Sequence, residues 1–501
     1  MPFPPKAQYG GALLVLAAFF ATPVSAHGFG QRYDLPLPLS FWLVGAGATV
    51  IISFAAMAMF YRERPGDGAY PRFNLLRLAP IRWLAHPVFV ALIRAVSVAA
   101  FVGALYAGGT GIQVDDANIL IVLVWVIWWV GFAFTCALVG NLWALVNPIR
   151  TVFVWAESLF AWVTGGASLS LKLAYPTWLQ TWPGVVIFLG FAWAELVWAD
   201  SGVPASLATA ILAYSVATWI GMFVWGGDVW LRHGEVFSIA FGILARFAPL
   251  DVPATEPGED RQFNLRPPGA GLAADRAVTF SLLVFVIVML STVTFDGYLE
   301  TSMFRASTLA LYTSPSLAGF TTKILNAGVP LQAIILTTQM LLFPVVFAGA
   351  FWATSWAMVR VAARKASGAQ PVTVYQVAMA FVLTLVPIAV AYHLSHYVSL
   401  LVITGQLIVP LISDPMGLGW DLFGTADYRL NIGLVSAGAV WYFSVTAIVV
   451  GHAIAVFLSH SVAVRIFGNR EAALASQIPM VGLMVAYTML SLWIVAQPIV
   501  G

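Results

Sequence analysis

The sequence predicts an all-α fold: a polytopic membrane bundle of about ten transmembrane helices. Three observations carry this. The 501 residues are 61% hydrophobic and only 9% charged, against about 25% charged in soluble domains. Apolar runs of about 20 residues, the length that crosses a bilayer as a helix, recur along the chain. Basic residues collect in alternate loops, as the positive-inside rule requires. Barrel strands would be about ten residues long with alternating polarity, and these runs are neither.

The first residues set the orientation. Leu13–Phe20 is too short to span, follows Lys6, and leads to Val24-Ser25-Ala26, the small-residue pattern of a signal-peptidase site. Residues 1–26 read as a cleavable signal peptide and 27–501 as a single membrane domain. Phe41–Tyr61 is the first true span and stops at Arg62, Glu63 and Arg64. The loop onward to Arg82 carries Arg72 and Arg77 and reads as cytoplasmic. Spans two and three are Pro87–Tyr106, with Arg94 inside it, and Ile119–Leu138, with Trp125, Trp128 and Trp129.

Asn141–Trp162 is apolar but interrupted by Asn147-Pro148, and proline breaks helices. It reads as an interfacial or re-entrant segment, with a pair of short spans as the rival. Span four is Gly184–Asp200 and span five Ala205–Trp225. Asp228, Arg232, His233 and Glu235 then read as a cytoplasmic ion-pair cluster, with a proton relay as the alternative. Phe237–Phe247 reads as a helix in the interface plane. Asp251–Arg276 is the longest polar loop, placed in the cytoplasm by Arg261, Arg266 and Arg276.

Spans six and seven are Thr279–Phe295 and Val329–Met358, and span eight is Thr373–Ala391. Leu400–Ile412 is either a bent continuation of span eight or a re-entrant piece. Gly433–Leu458 and Ile478–Gln497 complete the set. The even number puts both mature termini in the periplasm of a bacterial inner membrane.

Ionisable side chains at membrane depth are costly and are functional candidates by default. His393 and His396 lie three apart, on one helical face at the outer end of span eight. Glu195 and Asp200 close span four, Asp296 closes span six, and cleavage would put His27, with a free α-amine, on the same side. Two imidazoles and a carboxylate suit zinc, and an N-terminal His suits copper. The expected metal ligands are therefore His27, His393, His396, Glu195, Asp200 and Asp296. His452 reads as a satisfied buried histidine, and His460, eight residues on, points elsewhere. A single cysteine, Cys136, excludes an intramolecular disulfide. Net charge is +2 with no basic block, so no nucleic-acid partner is expected. No phosphate-binding loop, dinucleotide fingerprint or nucleophile elbow is present.

The stretches Ala26-His27-Gly28-Phe29-Gly30-Gln31-Arg32-Tyr33-Asp34-Leu35-Pro36, Gly451-His452-Ala453-Ile454-Ala455-Val456 and Tyr487–Pro498 resemble a family of bacterial membrane proteins described as a component of fenitrothion hydrolase. The resemblance implies cleavage of the aryl ester of an apolar organophosphorus compound, with a second protein subunit as partner. A bound metal would polarise the phosphoryl group and activate water for that reaction. It implies no catalytic residues. The alternative function is a transporter or metal-handling permease, for which Glu195, Arg94 and His452 would line a path. Membrane lipid and an apolar small molecule are the partners common to both.

Overall fold

The computed structural model describes residues 35–60, 70–253, 261–273, 278–365 and 372–500. The signal peptide, His27, the Arg62–Arg64 stop and Arg276 lie outside them. Among the described residues, nine helices are long and apolar enough to cross a membrane. They are α1 (Leu39–Phe60), α2 (Pro87–Thr110), α3 (Ile119–Leu138), α7 (Pro204–Trp225), α10 (Phe280–Leu299), α13 (Leu331–Ala363), α14 (Val374–Ser413), α15 (Ala437–Phe467) and α16 (Arg470–Val500). A tenth apolar helix, α6 (Trp182–Leu196), is shorter at 15 residues, and two further helices, α11 (Ser302–Thr313) and α12 (Ala318–Asn326), lie between α10 and α13. The all-α bundle of about ten spans is the architecture observed.

Hydrogen bonds sort the helix ends into two faces. On the first, Phe73–Asn74 (β1), Leu250–Asp251 (β2) and Asn264–Leu265 (β3) form a small antiparallel sheet in the order β1-β3-β2. Leu250 N–H reaches Val139 O at the end of α3. Arg465 and Arg470 donate to Ala273 O and Ala58 O. On the second face, Ile112 N–H donates to Met416 O, Ala205 N–H to Gln113 Oε1, and Trp125 Nε1 to Ser201 O. Successive spans therefore alternate in direction, and the first face gathers the basic loops. Arg266 ties that face together. It pairs with Asp251 at 3.0 Å and donates to the carbonyls of Ala245, Arg246 and Ala248.

Between the spans, α4 (Leu142–Val146) and α5 (Pro148–Thr164) are broken at Asn147-Pro148, where Asn147 caps the second helix. Phe153 is buried, whereas Trp162 and Val163 at the far end are exposed. After α7, α8 (Gly227–His233) leads into α9 (Val236–Leu244). The interface-plane reading of this apolar stretch is corrected here. Seven of the nine residues of α9 are buried, including Phe237, Phe241 and Ile243. A helix that is apolar all round is stabilised by burial on every side rather than on one.

Leu400–Ile412 continues span eight. α14 runs for 40 residues with 3₁₀ turns at Val382–Leu385 and Thr404–Leu407. Its first two-thirds form the centre of the main apolar cluster, packed against α10, α15 and α16. Close approach of α14 and α15 depends on Gly451, where a Cβ would collide with the Ala391 methyl and stand 2.8 Å from Pro387 O. Ser395 and Ser444 bridge the same pair, each hydroxyl donating at 3.2 Å to the other's carbonyl. Because one of the Gly451 neighbours is backbone, the clash cannot be relieved by a side-chain rotation. Gly451→Val is expected to destabilise the detergent-purified protein by about 1–3 kcal/mol or more. Its melting midpoint should fall, whereas Gly190→Ala, which meets open space, should leave it unchanged.

Candidate functional site in the bundle interior

The site is built where α10 crosses the middle of α14. Asp296 sits one turn before the end of α10. Gly297 follows it, and any side chain there would strike the Tyr392 hydroxyl, so the glycine lets the two helices meet. Asp296 Oδ2 accepts from His396 Nε2 at 2.9 Å and from the Tyr397 hydroxyl at 2.7 Å. His396 and Tyr397 are adjacent on α14, and their buried rings hold the carboxylate from one side. Hydrogen bonds to a charged acceptor contribute about 1.5–3 kcal/mol each, more than neutral ones. Tyr392, one turn back, stacks on His396 with ring centroids 5.8 Å apart.

The histidine pair stands at the middle of α14 rather than at its outer end, because the helix runs on to Ser413. His393 is buried against Trp129, Phe134 and Tyr397 at centroid distances of 5.9, 5.6 and 4.7 Å. Its Nε2 is buried with no hydrogen-bond partner among the described residues, and so is the Tyr392 hydroxyl. Glu195 on α6 lies within electrostatic range of Asp296 and close to the Trp129 indole, although that Nε1 makes no bond of ordinary geometry. Trp129 belongs to a π-helical stretch, Leu123–Phe132, inside α3. Such widened turns inside helices recur at functional sites.

Of the expected ligands, Asp296, His396, His393 and Glu195 come together. Asp200 sits in an exposed turn, Ala199–Gly202, with no bond to the others. Among the described residues no three His, Cys, Asp or Glu side chains converge to hold a metal ion.

Polar groups continue from this cluster through the bundle. Tyr487 on α16 bonds Thr294 at 2.7 Å and lies 6.4 Å from the Tyr392 ring. His452, 6.2 Å from the Tyr487 ring, bonds Ile448 O through Nδ1 at 2.7 Å and leaves Nε2 without a partner among the described residues. Two turns further along α15, Ser459 bonds Thr384, and His460 bonds Gln477. His452 and His460 thus have separate partners, as their spacing implies.

Sequence reasoning missed the best-satisfied buried carboxylate. Glu235, fully buried, caps α9 and accepts from Phe237 N and Ser238 N. It also accepts from the Tyr214 hydroxyl at 2.6 Å and from Trp143 Nε1 and Asn147 Nδ2 at 3.3 Å. The surface ion-pair reading of Asp228, Arg232, His233 and Glu235 is therefore corrected. Arg232 Nε donates to the Asp228 carbonyl, and no ion pair joins the four. His233 stacks on Tyr175 at 4.6 Å, and burial, then Arg232, lowers its pKa. The signal for Glu235 was present: an acidic residue immediately before an apolar helical run is an N-cap.

Compared with known proteins, the chain matches no family model, no curated relative and no solved structure.

Five hydrogen bonds on one buried carboxylate make Glu235 a structural hub. Glu235→Ala would orphan two buried side-chain donors, Trp143 Nε1 and Asn147 Nδ2, at about 1–3 kcal/mol each, and release the half-buried Tyr214 hydroxyl. Expected is loss of monodisperse protein in size-exclusion chromatography. Asp228→Ala, in an exposed turn of the same segment, should elute as the parent does.

Proposed function

We propose that this chain is a membrane transporter whose interior carboxylate–histidine pair takes up and releases a proton in step with the passage of a solute. The observation that carries the reading is the Asp296–His396–Tyr397 set, an ionisable carboxylate hydrogen-bonded inside a helical bundle. Such groups are expensive in a membrane interior and mark proton and ion paths. Glu195 beside them, and the Nε2 atoms of His393 and His452, which have no partner among the described residues, supply further sites where a proton can reside between the two faces. In this reading the protein resides in a bacterial inner membrane. The basic face, with Arg266, Arg465 and Arg470, is cytoplasmic, both mature termini are periplasmic, and maturation occurs after Ala26.

A second reading rests on the same pair. A carboxylate-paired imidazole is how many hydrolases hold a general base, and the resemblance to the fenitrothion hydrolase component points to an organophosphorus aryl ester and a second subunit. In its metal-assisted form, zinc or copper would be held by His393 and His396 with Glu195 or Asp296, and the Asp296–His396 bond would have to open.

Infrared difference spectra of the protein in liposomes, taken as bulk pH is stepped, separate the two readings. Proton exchange predicts a protonated-carboxyl band that disappears in Asp296→Asn and persists in Asp228→Asn. No band assignable to Asp296, together with nitrophenol release from a fenitrothion-type ester that is lost in His393→Ala, would replace the transporter reading with the hydrolase.

A further inference from the structure

A cavity of about 500 Å³ opens on the opposite side of α3 from the Asp296 cluster, between α2, α3, α6 and α7. Its volume lies in the range of about 300–1,000 Å³ that accepts one small ligand. The lining is almost wholly apolar and aromatic, with Phe101, Trp128, Phe191 and Phe237 prominent. It extends from Val146 and Ile149, beside the α4–α5 break, toward Leu120 and Leu207, near helix ends on the other face.

Two arginines lie beside that break, next to lining residues but outside the lining itself. Ser97, which lines it, lies one turn beyond Arg94 on the same face of α2. Pro148 and Ile149, which also line it, immediately precede Arg150. Arg94 and Arg150 are both half-buried, and Arg94 feels the charge of Arg150 directly. Arg94 Nε donates to Leu145 O at 3.2 Å and Ser97 Oγ to Val146 O, so the carbonyls freed by the break are already met. The Nη nitrogens of Arg94 have no hydrogen bond among the described residues, and neither arginine has a carboxylate partner there. Arg150 also lies in the first turn of α5, where the helix dipole already favours negative charge. Two like charges beside hydrocarbon at a helix N-terminus repel unless an anion lies between them.

We propose that this is a binding site for one anionic amphiphile, a phosphate-headed lipid. Its headgroup sits between Arg94 and Arg150, and one of its acyl chains occupies the cavity. A neutral lipid would fill the cavity but leave the arginines uncompensated. Free phosphate would pair the arginines but leave the cavity empty. Basic pockets between membrane helices are an established setting for acidic headgroups.

The test is native mass spectrometry of the full chain in neutral detergent, titrated separately with phosphatidylglycerol, phosphatidylcholine and inorganic phosphate. One phosphatidylglycerol should be retained in preference to phosphatidylcholine. Arg94→Gln and Arg150→Gln should each weaken it about fivefold, whereas Arg94→Lys should retain most of the affinity. Gly190→Phe places a ring in the cavity from a position where added atoms meet open space. It should weaken the lipid while the protein elutes as a normal monodisperse peak. Equal retention of phosphatidylcholine, or phosphatidylglycerol binding unchanged in both glutamine variants, would overturn the proposal. So would lipid binding unaffected by Gly190→Phe, or phosphate binding as tightly as the lipid.

Discussion

Inside a bilayer there is no water to satisfy a buried polar group, so each must find its partner within its own helix, on another helix, or stay unmet. That constraint organises this bundle. Where it is met in full, as at Glu235, five donors converge and the group acts as a fastener between α4, α7 and α9. Arg266 does the same for the basic face. Where it is met in part, as along α14, chemistry becomes available. Asp296 accepts from His396 and Tyr397, while His393 Nε2 and the Tyr392 hydroxyl beside it have no partner among the described residues.

The contrast distinguishes two kinds of buried polar group. A fully hydrogen-bonded buried carboxylate such as Glu235 rigidifies its surroundings, whereas a buried polar atom left without a partner is costly. Buried polar groups follow one another across the core helices α10, α14, α15 and α16. Ser395–Ser444 and the Gly451 contact draw α14 and α15 together at that level. The large apolar cavity lies on the other side of α3, behind Trp128 and Phe191. The molecule thus has a polar interior and a separate apolar chamber, with α3 and its π-helical stretch between them.

Much of the architecture was legible because span length and apolarity are dictated by membrane thickness. The sequence boundaries for α2, α3 and α7 lie within a few residues of the observed ones. The grouping of Asp296 with His393, His396 and Glu195 is observed, but not for the reason the sequence offered: the histidines stand at the middle of α14 and not at a helix end. What was not legible depended on packing. α9 has the composition of an interfacial or a buried helix, and only its neighbours decide between them. Leu400–Ile412 continues α14 because Val122, Val126 and Leu411 form an apolar seam there, a contact no local pattern announces. Glu235 was misread because a charged residue amid Asp228 and Arg232 resembles a solvated cluster. Asp200 was grouped with the site by side alone, and its turn leaves it exposed.

The central claim is that the middle of α14 lies in the bundle interior against α15, carrying the polar cluster with it. Cysteines replacing Ser395 and Ser444, in a Cys136→Ala background, test it directly by oxidation in native membranes. Reciprocal hydrogen bonds at 3.2 Å predict a rapid intramolecular disulfide, seen as two fragments that stay joined after proteolysis in the loop between α14 and α15. Two cysteines that remain separate and freely react with a water-soluble maleimide would contradict the account.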